Sequence, residues 1–187
     1  MNNCKNRRAR LFESSNADAF LVFDLNCILP RDIDHENLFY LTGYTGEGAL
    51  LICRDEAILL TDSRYVEQAS KEAPGLILRH AEGNYLAEIA SLLKEKGVQR
   101  LAFASWRMTH FVVERLQEIA GIDLIPAEDP VRKMRAIKDP GEIELIHKAT
   151  EISAEALAEL IEEIARVTED GYMLLTSFPR DRLIEIG

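Results

Sequence analysis

Hydrophobic positions in this chain fall into short blocks between polar turns, and the spacing inside each block says which element it forms. The blocks at 19–23 (AFLVF), 49–53 and 57–61 are almost continuously apolar and too short for helices, which predicts buried strands. Arg54-Asp55-Glu56 joins the last two into a hairpin. Beyond it, apolar blocks at 76–79, 101–104 and 124–126 alternate with helical patterns at 85–96 and 109–120, closed by Gly97 and Gly121. That alternation predicts an α/β sheet flanked by helices, and the hairpin makes the sheet mixed.

The rest of the chain fits around this frame. Residues 5–16 form a modest amphipathic helix, 24–36 a polar loop, and 37–43 a helical turn ending at Gly43. Gly43, Gly46 and Gly48 mark a sharp reversal into the hairpin. A helix over 63–73 follows, with Asp62 or Ser63 as its cap and Pro74-Gly75 as its stop. Pro130 breaks the alternation, and 131–138 carries four basic residues in eight. Asp139-Pro140 then opens a long helix, because Ile143, Ile146, Ala149, Ile152, Ala156, Leu160 and Ile164 recur at spacings of three and four while glutamates take the other faces. A helix of that length bridges to something else. The tail carries a possible hairpin, 172–177 with 182–186. The expected division is an α/β domain at 1–130 and a junction, bridging helix and tail at 131–187.

Composition narrows the function. The 187 residues are 47% hydrophobic, enough to bury a core, and the formal net charge of −10 argues against nucleic acid and against an anionic membrane surface. The basic start MNNCKNRRARLF leads into no apolar signal region, and no later run has the length of a membrane span, so a cytoplasmic location is expected. Cys4, Cys27 and Cys53 are odd in number and lack CxxC spacing, which predicts reduced, buried thiols.

Candidate chemistry is sparse. His35, His80, His110 and His147 fall on four separate elements with no paired ligand spacing, and the glutamates near His147 are explained by its acidic helix. The GxxGxG run at 43–48 precedes a strand and lacks a closing Lys-Ser/Thr, so it reads as a turn and not a phosphate cradle. No serine has GxSxG surroundings. Asp62, Arg64 and Tyr65 form the densest polar cluster, at a strand's carboxyl end where α/β folds hold ligands, although an ion pair and a helix cap account for them as well. The residues supply no complete active site, neither catalytic nor metal-binding.

Two segments resemble a known family. Asn37-x-x-Tyr40-Leu41-Thr42-Gly43, the Leu50-Leu51-Ile52 strand and Thr61-Asp62-x-Arg64-Tyr65-x-x-Gln68-Ala69 are similar to the amino-terminal domain of the creatinase and proline-peptidase family. Arg135-x-Ile137-Lys138-x-x-x-Glu142-Ile143-x-x-Ile146-x-x-Ala149 is similar to that family's junction, which implies that 131–138 is a basic loop leading into the first helix of a catalytic domain. The likeness extends from residue 7 to about 165. It implies a ribonuclease-H-like α/β fold and a parent that hydrolyses Xaa-Pro bonds, as an aminopeptidase or a dipeptidase. In the family, catalysis belongs to a following "pita-bread" domain that binds two divalent ions, manganese, cobalt or zinc. None of its motifs is present here, so this chain by itself is expected to be inactive, whether cut from a longer protein or encoded short. The resemblance further implies a homodimer acting on proline-containing peptides. Asp34 and His35 are then the first residues to lie near substrate in trans, with Arg64 and Tyr65 second. A protein-interaction module of the same descent, or the amino-terminal domain of a creatinase-like amidinohydrolase, are the alternatives.

Overall fold

Six short strands form the sheet, and the central four carry most of the core because their side chains are apolar on both faces, which only a sheet covered on both sides can bury. In the computed structural model, which describes residues 2–24, 36–81 and 83–169, the six are β1 (Ala19–Asp24), β2 (Gly48–Cys53), β3 (Ala57–Thr61), β4 (Ile77–His80), β5 (Arg100–Ala104) and β6 (Asp123–Ala127). They form one sheet in the order β4-β3-β2-β1-β5-β6. β2 runs antiparallel to both β1 and β3, and every other pairing is parallel. The sheet is therefore mixed, with five strands pointing the same way.

Seven helices complete the described chain: α1 (Asn2–Ser14), α2 (Glu36–Thr42), α3 (Val66–Glu72), α4 (Tyr85–Glu95), α5 (His110–Ala120), α6 (Pro130–Ala136) and α7 (Pro140–Glu169). Alternation along β1 sends Ala19, Leu21 and Phe23 to a core shared with Ile89, Leu93, Val112 and Leu116 of α4 and α5. Phe20 and Val22 enter the opposite core, with Leu11 of α1, Leu38 and Leu41 of α2, Ala69 of α3 and Val131 of α6. Asn84 and Thr109 cap α4 and α5, accepting bonds from Ala87 N at 3.1 Å and Val112 N at 3.4 Å, and Gly121 ends α5 in the left-handed conformation at φ 65°.

The chain divides into two units, Met1–Ala136 and Ile137–Gly187. The second consists, in its described part, of α7 and its approach. Asp139 and Glu142 cap α7 reciprocally: Glu142 N donates to Asp139 Oδ1 at 3.0 Å, and Asp139 N to Glu142 Oε2 at 2.9 Å. Ile143, Ile146, Ile152, Leu157 and Ile161 are exposed along it.

Three expectations need correction. The basic stretch after Pro130 is a helix, α6, because Asp129 Oδ1 accepts from Arg132 N at 3.1 Å and Pro130 occupies the first helical position. Neither Asp62 nor Ser63 caps α3; Tyr65 holds that position without a side-chain bond, since Arg64 takes the Asp62 carboxylate. Cys4 and Cys53 are free thiols, as expected, but half-buried and not buried, because α1 and the hairpin end flank an open cleft. The loop read at 24–36 has its flanks in β1 and α2, while 25–35, Cys27 and the tail hairpin lie outside the described residues.

Candidate functional site

Because five strands run the same way, their carboxyl ends share one edge of the sheet, and the polar residues that follow each apolar run collect there. At the β3 end, Asp62 Oδ1 accepts from Arg64 N at 2.9 Å, an Asx-type turn. The Arg64 guanidinium folds back on the same carboxylate, with Nη2 to Oδ2 at 2.6 Å, and its carbon lies 5.2 Å from the Tyr65 ring centre. Arg64's hydrogen bond holds the Asp62 carboxyl below its ordinary value. The Arg64 side chain is 71% exposed, so the pair is a solvated local contact. Tyr65 packs on the α1–α3 core. Of the sequence-predicted site residues, these two are brought together; Asp34 and His35 lie outside the described residues.

The glycine turn beside them is structural. Tyr44 is fully buried, its hydroxyl donates to Glu47 O at 3.2 Å, and Thr61 Oγ1 donates to the same carbonyl at 2.9 Å. A Cβ on Gly46 would collide with the Tyr44 ring and hydroxyl, and one on Gly48 would stand 2.5 Å from Leu60 O.

A denser cluster sits where β1, β5 and β6 end. Glu36, the first residue of α2, accepts from Arg107 Nη2 at 2.8 Å through Oε1 and from Arg135 Nη2 through Oε2. Arg135 also donates to Asn37 Oδ1 at 3.1 Å, and Arg107 Nε is 3.9 Å from buried Asp129. Asp24 Oδ2 accepts from Leu38 N at 3.0 Å, so the end of β1 and the first turn of α2 are joined. The Arg135 bond, aided by Arg107, outweighs burial and brings Glu36 down to about 2. Reading the sequence missed Asp24, Glu36, Arg107 and Asp129 as partners, and met Asn37 and Arg135 only inside family motifs. The available signal was that each follows, or faces, the end of an apolar strand.

The arrangement clasps elements together; it offers no nucleophile with a base. Among the described residues no three His, Cys, Asp or Glu converge as a metal site requires, so the two divalent ions that the resemblance implies do not fit the described part of this chain. No described helix is long and apolar enough to cross a membrane.

The family model for the creatinase/prolidase N-terminal domain matches residues 6–137, the span that holds the whole sheet. The chain belongs to that family. Its creatinase/prolidase N-terminal domain is 31% identical over 127 residues to an uncharacterized peptidase, YqhT, of Bacillus subtilis, a match covering 67% of this chain and 36% of that protein. An Xaa-Pro dipeptidase from Bacillus anthracis superposes with a TM-score of 0.73 at 29% identity, over 85% of this chain and 42% of that one. The N-terminal domain of the cytoplasmic peptidase PepQ from Mycobacterium tuberculosis, also 29% identical, superposes at 0.58 over 70% of this chain and 96% of that one. The chain thus spans about a third of the length of the curated relative.

Proposed function

We propose that this chain is the non-catalytic amino-terminal part of a cytoplasmic Xaa-Pro peptidase, in which it contributes to dimerisation and to substrate access. The observation that carries this reading is the contrast in coverage: 96% of a solved amino-terminal domain, but 42% of a whole Xaa-Pro dipeptidase. Hydrolysis, and the two divalent ions that activate water and polarise the scissile carbonyl, then belong to a following domain. The division falls at the basic stretch after residue 130. Asp34 and His35 approach the partner subunit's substrate, and Arg64 with Tyr65 borders that approach as a second rank. The Glu36 clasp supports this by fixing the residue next to His35 to two arginines from separate elements.

The gene tests the reading. A reading frame continuing past codon 187 into a metal-binding catalytic domain is the expected result. A stop codon there contradicts it and favours an interaction module of the same descent.

A further inference from the structure

At the opposite edge of the sheet, where β2 ends and β3 begins, a cleft of about 550 Å³ opens between α1, the hairpin tip and the end of α3. Its size is that of a small-molecule site. Ile52, Ala57, Ala73, Pro74 and Leu76 supply an apolar wall, and Lys5, Arg8 and Arg54 bring three cations to it.

Charge in the lining is unevenly committed. Glu56 is paired with Lys96 at 2.6 Å, and Glu72 accepts from Thr45 N and Oγ1, both at 2.8 Å, and from Gln68 at 3.0 Å. The cations have no such partners among the described residues: Arg8 donates to Leu41 O at 2.7 Å, Arg54 lies 5.8 Å from the Phe12 ring centre, and neither they nor Lys5 meets a carboxylate. Asp55, the remaining lining carboxylate, is exposed beside Arg54 at the hairpin tip. An arginine half-buried without an anion is costly, and burial indeed lowers the Arg8 value, opposed by the nearby Cys4 thiol. That the chain is acidic overall makes three cations in one cleft, none meeting a carboxylate among the described residues, harder to ascribe to composition. Burial, with Glu56 beside it, pushes the Cys53 thiol up, so it serves as a neutral wall and not as a nucleophile.

We propose that this cleft binds a small organic oxyanion, a carboxylate or a phosphate ester, with the charged group on Lys5, Arg8 and Arg54 and the apolar body against Ile52, Ala57 and Leu76. The guanidinium nitrogens of Arg8 not used by Leu41 supply the directional bonds, and Lys5 and Arg54 add charge from the rim.

Calorimetric titration of the whole chain with phenyl phosphate, phenylacetate, inorganic phosphate and benzyl alcohol tests this. At least one aromatic anion saturates, phenyl phosphate binds more tightly than inorganic phosphate if the ester is the class, and benzyl alcohol does not bind. R8M and the double variant K5Q/R54Q each weaken the bound anion about tenfold or more, whereas K94Q leaves it unchanged. Because Lys5 and Arg54 are exposed and, among the described residues, neither meets a carboxylate, wild-type affinity in K5Q/R54Q overturns the proposal whatever R8M does. So does the absence of saturation by either aromatic anion up to about 10 mM.

Discussion

Glu36 shows how one side chain ties distant parts of this domain. Its carboxylate is held at about 2, well below the ordinary 4.5, so the folded state binds its proton more weakly than the unfolded state does. The stabilisation is complete above the unfolded value and is lost as pH falls from 4.5 toward about 2. Replacing the residue by E36Q is expected to cost about 1–2 kcal/mol near neutral pH. In urea titrations the gap between wild type and E36Q should shrink steadily below pH 4.5; a gap independent of pH would show that charge is not what Arg107 and Arg135 hold. Gly48 makes a steric contribution of a different kind. A methyl there meets the Leu60 carbonyl, which cannot rotate away, so G48A is expected to destabilise by about 1–3 kcal/mol. A midpoint unchanged from wild type would contradict that contact. None of the Glu36 partnership was legible in the sequence, since Arg135 lies 99 positions away and no local pattern links the two.

At the scale of elements, the central strands were readable because four or five apolar residues in a row have few other options, and their boundaries moved by one residue at most. The α6 helix was not readable from periodicity, since only Val131 and Met134 of its seven residues pack on the core. Its signal was instead Asp129-Pro130, the same cap-and-first-turn pair that opens α7 as Asp139-Pro140. Competition explains the misread start of α3: Asp62 looks like a cap, but the guanidinium two residues on claims its oxygens. The D129A change is expected to cost about 1 kcal/mol through loss of the α6 cap. It should loosen Arg107 as well, so the cost in a D129A/R107M pair should fall short of the sum of the single changes. Strict additivity in thermal unfolding would mean that the 3.9 Å approach carries no energy.

For the whole molecule, topology decides what the sequence alone could not. One reversed strand among six leaves five carboxyl ends on one edge, which gathers Asp24, Asp62, Arg107 and Asp129 from separate parts of the chain. Family descent was legible because its motifs lie in contiguous stretches around the hairpin and the junction. The candidate site was not, because its members meet only after folding. Exposed apolar residues along α7 give a second expectation at this scale: the chain should self-associate, and sedimentation at tens of micromolar should report a dimer. A monomer throughout that range would remove the dimer from the proposal. The most direct measurement is a peptidase assay of the purified chain with manganese or cobalt and an Xaa-Pro dipeptide. The account predicts no hydrolysis above the buffer rate, and turnover that survives purification and scales with protein concentration would contradict it.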